Sequence, residues 1–257
     1  MAKWTAFPHL GDYQFEAASL TKQWPRLHAG DAEPLPTDSE VLQAWVLYHN
    51  GEFHMAAEAG LKAGGDGITV ANKATAIYAN YLEKKEKTKL DLFMAVAQRA
   101  EAQTEQDPRN PNAWYWQAYA LGRYSQGISV AKALAQGLGN KVKESLEKTI
   151  RLQPKHADAH IALGAFHAEV IDKVGSLIGG MTYGAKKDVG LKLFQEALRI
   201  NPASAVGMIE YANGLVMLEG DKKMKEATRL YEQAAACQPM DAKERLDMEM
   251  ATAELQH

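Results

Sequence analysis

Ile150-Arg-Leu-Gln-Pro154-Lys-His-Ala157, Leu198-Arg-Ile-Asn-Pro202-Ala-Ser-Ala205 and Ala235-Ala-Cys-Gln-Pro239-Met-Asp-Ala242 are three copies of one phrase. In each, an apolar stretch meets a proline, a two-residue turn follows and an alanine reopens the chain. Proline cannot continue a helix, so every copy reads as one helix ending and the next beginning. A fainter copy, Gln106-Asp-Pro108-Arg-Asn-Pro-Asn-Ala113, precedes the aromatic run Trp114-Tyr-Trp116. Recurrence at a few tens of residues is the mark of a stacked helical-repeat solenoid. Such arrays present a concave surface, which points to binding before anything else.

Composition narrows the partners. The 257 residues are 46% hydrophobic, enough for a substantial core. A net charge of -3 from 29 basic and 32 acidic residues offers no general attraction to a phosphate backbone, so nucleic acid is not expected. The densest basic stretch, Lys84-Lys-Glu-Lys-Thr-Lys89, reads as a solvated turn between helices. The single cysteine, Cys237, allows no internal disulfide and reads as a small buried hydrophobe of the last repeat's second helix. The amino terminus lacks the apolar stretch of a secretory signal, and no run of about 18 apolar residues occurs. The expectation is a soluble, cytoplasmic protein of a reducing compartment, with no membrane span.

Three regions follow along the chain. Residues 1–38 are the least regular, with one short helix over Asp12–Trp24 and Pro25, Pro34 and Pro36 opposing its continuation. Residues 39–240 carry the helical period throughout, as about five helix pairs beginning with Ser39 as a cap and Asn50-Gly51 as a stop. Gly64-Gly-Asp-Gly67 reads as a helix-to-helix turn, since no Gly-Lys-Ser/Thr follows it and no strand precedes it. A helix over Ala157 to about Val174 and another over Asp188–Ile200 are separated by the glycine-bearing stretch 175–184. Residues 241–257 form a terminal helix with Leu246, Met250 and Ala253 on one side and Lys243, Glu244, Asp247 and Glu254 on the other, as expected of a cap. No segment alternates strongly enough to demand a strand, so the fold class is all-α.

Ala157-Asp-Ala-His-Ile-Ala-Leu-Gly164 and Gly190-Leu-Lys-Leu-Phe-Gln-Glu-Ala-Leu-Arg-Ile-Asn-Pro202 resemble the two helices of a tetratricopeptide repeat. Gly164 and Gly190 stand where helices cross in that family, Phe194 and Ala197 fill the second helix, and Pro202 ends the unit. Successive prolines at 108, 154, 202 and 239 are 46, 48 and 37 residues apart, against a repeat of about 34. Counting back from each proline places two long insertions between paired helices, at about 123–141 and 172–185. Trp114-Tyr-Trp116, the glycine-bearing stretch Gly122 to Gly139, Thr149-Ile-Arg-Leu-Gln-Pro154, Leu163-Gly-Ala-Phe166 and the second insertion Val174 to Lys187 resemble the repeat domain of the regulator of microtubule dynamics family. That resemblance implies an adaptor-like role; animal members are often membrane-anchored, and one is associated with lipid transfer at organelle contacts. Leu177-Ile-Gly-Gly180 leading to Phe194-Gln-Glu-Ala-Leu198 is also similar to the T-component of TRAP transporters, periplasmic helical-repeat proteins thought to handle apolar ligands.

Two constellations compete as sites. His156, His160 and His167 have metal-like spacing, but repeat position gives them structural roles, and no metal or other cofactor is expected. No nucleophile elbow, HExxH or kinase signature occurs, so an enzyme is not expected. The better candidate is the concave face, which the repeat register assigns to Asn112, Tyr115, Tyr119 and Arg123, then Asp158, Ile161 and Ala165, then Ile209 and Asn213. The chaperone-binding lysine/asparagine clamp of tetratricopeptide proteins is replaced here by tyrosine, isoleucine and alanine. A mixed apolar and polar face suits an apolar segment or ligand with one polar end. The first expectation is therefore a non-enzymatic scaffold holding a peptide or protein partner in its groove. The alternative is a carrier or sensor of an apolar, lipid-like molecule in a groove roofed by the insertions.

Overall fold

A computed structural model describes residues 4–256; Met1 to Lys3 of the N-terminal segment and His257 of the terminal one lie outside them. Among the described residues every regular element is helical: α1 (Ala17–Leu27), α2 (Ser39–His49), α3 (Phe53–Ala63), α4 (Gly67–Tyr81), α5 (Glu86–Gln106), α6 (Pro111–Ile128), α7 (Val130–Ala135), α8 (Leu138–Leu152), α9 (Ala157–Tyr183), α10 (Lys187–Ile200), α11 (Ala205–Glu219), α12 (Met224–Ala235) and α13 (Ala242–Glu254). Five pairs stack in order, α2 with α3, α4 with α5, α6 with α8, α9 with α10, and α11 with α12.

The repeated phrase works as a stop and a cap. In each copy the residue just before the reopening alanine accepts a hydrogen bond from the first turn of the next helix: His156 Nδ1 from the Ala159 amide (3.1 Å), Ser204 Oγ from Gly207 (3.1 Å) and Asp241 Oδ1 from Glu244 (2.8 Å). In the faint copy Asn110 accepts from the amides of Asn112 and Ala113, with Pro111 in the first turn. Phe194, fully buried, then fixes the crossing of three helices. A Cβ on Gly214 would lie 2.5 Å from its ring and one on Gly164 3.1 Å, so α9, α10 and α11 close on it only because both positions are bare.

The fold differs from the expectation at four places. The cap of α2 is Asp38, whose carboxylate accepts from Glu40 N at 2.7 Å, one residue before Ser39. Helix α1 begins at Ala17 and runs through Pro25 to Leu27. A reciprocal Glu16–Ser19 cap starts it, while its last turn is held by Trp24 stacked on His28 and donating Nε1 to Glu33 O at 2.8 Å. The stretch 175–184 is largely helical: Gly175, at φ 79°, folds the chain back so that Gly179 lies against Val170. Cys237 lies beyond the end of α12 and is half-buried rather than packed in its apolar face.

The two ends of the array meet. Asp241 Oδ2 lies 2.7 Å from His49 Nδ1, Glu244 pairs with Arg26 at 2.6 Å, and Asp247 accepts from the Tyr81 hydroxyl at 2.5 Å. The side of α13 bearing Lys243, Glu244 and Asp247 thus faces the N-terminal helices, while Leu246 and Ala251 add to the core. His49 Nε2 lies 3.2 Å from His28 Nε2, and His28 Nδ1 lies 2.9 Å from Asp31, which also receives Lys73 Nζ at 2.6 Å. Both Nδ1 atoms face carboxylates, and burial lowers His28 from 6.5 to about 4, so that ring is neutral at neutral pH. Burial of the two rings is offset by their hydrogen bonds to Asp31 and Asp241.

Asp241→Ala removes the α13 cap and leaves the buried His49 ring without its carboxylate partner, and should cost about 3 kcal/mol in urea unfolding; an unchanged midpoint and slope would refute the closure. Burial also lowers His156 from 6.5 to about 4. Its folded pKa lies below its unfolded one, so this stability is complete above pH 6.5 and is lost as pH falls towards 4. His156→Asn keeps a cap acceptor and should flatten the acid limb of thermal melts by up to about 3 kcal/mol. An equally steep limb in the variant would show that the ring is not held neutral.

Candidate functional site

A cavity of about 160 Å³ occupies the concave side, lined by residues of α1, α2, α4, α6 to α9, α11 and α13. It exists because α6 and α9 stand apart. Helices α9 and α11 pack closely, as neighbouring first helices of repeats do, whereas α6 packs on α8 and α8 on α9, and α6 meets α9 only sparsely. The first insertion fills the difference: Val130, Ala133 and Leu134 of α7 line the opening with Gly139, Val142 and Leu146 of α8. Small residues of α6 and α9, among them Gly122, Ala162 and Ala165, share the lining, and a Cβ on Gly122 would meet nothing within 4 Å.

One end of the space is therefore apolar and the other polar. Trp116, Leu134, Val142, Leu146, Phe166 and Val170 form the apolar chamber. At the polar end Arg123 donates to Glu210 at 2.7 Å and lies over the Tyr119 ring at 5.4 Å, and Lys243 donates to Asp247 at 2.6 Å. Burial raises the Asp158 carboxyl to about 6 and pushes Glu169 and the Tyr119 hydroxyl up as well.

The concave residues expected from the repeat register separate into three groups. Tyr115, Tyr119, Arg123, Asp158, Ile161 and Ala165 all line this cavity. Asn112 is already engaged: its Nδ2 donates to Asp31 O at 3.1 Å and to the Glu33 carboxylate, and its Oδ1 pairs with His156 Nε2 at 2.9 Å. Burial raises Glu33 to about 8, so a proton remains on it at neutral pH. Ile209 is buried among Ala205, Ala234 and Ala251, and Asn213 accepts from the Tyr231 hydroxyl beside a separate small cleft. At these two positions the last repeat contributes packing where groove was expected, Ile209 against α12 and α13 and Asn213 against α12, while Val206 and Glu210 of the same helix do line the cavity.

The roof also differs. No residue from 172 to 185 lines the cavity, since the Gly175 turn folds the second insertion back along α9. Cover comes instead from the chain's ends: Gly30 O accepts from Asp158 N at 3.0 Å, and Lys243 and Asp247 of α13 close the far side. The sequence pattern places Lys243 and Asp247 on a solvated back and leaves 28–33 as irregular chain. A signal exists in Lys243 and Asp247 themselves, an oppositely charged pair four residues apart on the terminal helix. The three candidate metal ligands are dispersed among backbone partners. His156 caps α9, His160 Nδ1 donates to His156 O at 2.9 Å, and His167 Nδ1 accepts from Lys186 N at 3.1 Å. No group of three or more His, Cys, Asp or Glu side chains is placed to hold a metal ion among the described residues. Nor is any described helix long and apolar enough to cross a membrane.

No curated protein sequence matches the chain. A thermophilic TPR protein of Thermus thermophilus shares its fold, with a TM-score of 0.58 at 16% identity over 83% of this chain and 97% of the other. Stacked helix pairs of tetratricopeptide type are the architecture of many protein-interaction scaffolds. The model of the regulator of microtubule dynamics protein 1-3 family matches residues 53–257, the span that holds four and a half of the five pairs, the propping insertion and the closing helix. By that match this all-helical, tetratricopeptide-like chain belongs to the regulator of microtubule dynamics family.

Proposed function

We propose that this chain is a non-enzymatic binding module whose roofed concave interior receives the apolar part of a small amphiphilic, lipid-like molecule. The observation that carries the proposal is the separation of α6 from α9, which opens a passage past Gly122, Ala162 and Ala165 into a chamber lined by Trp116, Leu146 and Phe166. A well-packed repeat array has no such space. A void lined by apolar atoms at one end and by tyrosine, arginine and carboxylate at the other suits a molecule with a tail and a head. The single cysteine and nearly balanced charge suit the same protein working in the cytoplasm, with no nucleic-acid partner.

A scaffold for a protein or peptide is the second reading, favoured by a different surface. Asn112 and the Asp158 amide are already bonded to residues 30–33, so a peptide would have to displace the chain's own segment from that part of the groove. On the outer edge, however, Leu177, Ile178 and Met181 are 75%, 55% and 82% exposed at the folded-back tip of α9. Exposed apolar side chains clustered this way suit a partner held at the outer edge.

Gly122→Leu separates the readings, because a Cβ there meets nothing within 4 Å and leucine is the better helix former. It should weaken uptake of 1-dodecanol, read by Trp116 fluorescence and by native mass spectrometry of detergent-free protein, about tenfold or more, with the melting temperature held. Equal uptake by the two proteins, or none by either, would sink the cavity reading; partner capture that survives Gly122→Leu and is lost in Met181→Asp would establish the second.

A further inference from the structure

We propose that the polar end of the cavity is a seat for an organic ammonium group borne on an alkyl chain, with the Asp158 carboxylate as its counter-charge and Tyr115 beside it. The inference rests on the cavity reading above and adds the chemistry of the head.

Charge is the first argument. Four cationic and seven carboxylate side chains line the cavity, a surplus of three acids. Each cation is already engaged: Lys73 with Asp31 at 2.6 Å, Arg123 with Glu210 at 2.7 Å, Lys243 with Asp247 at 2.6 Å and Arg26 with Glu244 at 2.6 Å. A carboxylate or phosphate head would find no free cation and would add to the surplus. An ammonium would reduce it. Burying a charge is favourable only where a partner waits for it, so the lining itself selects the sign of the head.

Position is the second argument. Of the three carboxylates left over, Asp241 is bonded to His49 and caps α13, and Glu169 accepts from Gln126. The Asp158 side chain alone has no hydrogen bond among the described residues; its surroundings act on it only by burial and by charges at a distance, Lys243 and Asp31 foremost. It stands in the first turn of α9, where the helix dipole favours an anion. Gly30 leaves it room, since a Cβ there would lie 2.5 Å from Asp158 Oδ1. Tyr115, only 5% exposed, lines the cavity with a hydroxyl that has no partner among the described residues. The Tyr48 hydroxyl, buried and unpartnered, belongs to the same lining. From Asp158 the face of α9 continues through Ile161, Ala162 and Ala165 to Phe166, a rise of about 12 Å along the helix. Head and tail therefore lie along one line, with the charge at the start of α9 and the chain running into the chamber.

The test compares dodecyltrimethylammonium, 1-dodecanol, dodecyl phosphate and tetramethylammonium, all below micellar concentration, by titration calorimetry on wild type, Asp158→Asn and Gly122→Leu. Dodecyltrimethylammonium should bind about tenfold more tightly than dodecanol, and the phosphate more weakly than either. Asp158→Asn, isosteric and with its backbone bond to Gly30 intact, should erase that preference, leave dodecanol binding unchanged and melt at or above the wild-type temperature. Asp158-dependent binding of tetramethylammonium as tight as that of its alkyl relative would assign the seat to a free small amine; weaker binding assigns it to an amine with a tail. Alcohol or phosphate binding as tight as the ammonium, or a preference untouched by Asp158→Asn, would overturn the seat while leaving the chamber standing. Binding of tetramethylammonium alone, with no alkyl compound taken up, would keep the seat and overturn the chamber.

Discussion

The Asp31 carboxylate is the point through which the two ends of this molecule are joined. It lies in the turn after α1, receives Lys73 from α4 and faces His28, which in turn meets His49 of α2 and, through it, Asp241 at the head of α13. Asp31 O also receives the Asn112 side chain from α6. Lys73 holds the Asp31 carboxyl well below the usual carboxylate range against the opposing effect of burial, so the network rests on a fixed negative charge in the interior. Removing one member of such a chain leaves the others buried without compensation, which makes it a stricter constraint on geometry than the apolar contacts around it. The segment over the concave face and the head of α13 are both joined to this network.

The cavity has a different origin. Helices that carry large apolar residues on facing sides normally collapse onto one another, and α9 and α11 do so over Phe194. Between α6 and α9 the first insertion prevents that collapse by offering its own apolar residues, Val130, Ala133 and Leu134, to the face of α8 that would otherwise be covered. A segment of about twenty residues thus turns a packing interface into a lined space at little cost, since the apolar walls remain out of bulk water.

Much of the fold was legible because its signals are local. Proline positions gave the helix ends, and the excess spacing between prolines located both insertions. Six concave residues reached one cavity because the repeat fixes which side of a first helix faces inward. What stayed hidden is non-local. Nothing near Asn112 in the chain announces that Glu33 will reach it, and nothing near Ile209 announces that Ala251 will bury it. Lys243 and Asp247 carry the pattern of a solvated helix face, and only the meeting of the two ends turns that face inward. Charged residues on a terminal helix read the same from sequence whether they face water or a buried carboxylate.

An open solenoid can gain or lose a unit at its end with little effect on the units already there, since each touches only its neighbours. This array lacks that freedom. With five pairs Asp241 reaches His49, and one pair more or fewer would move α13 by a full repeat and leave both buried histidines facing the wrong element. Repeat number and the meeting of the two ends are therefore a single variable in this protein.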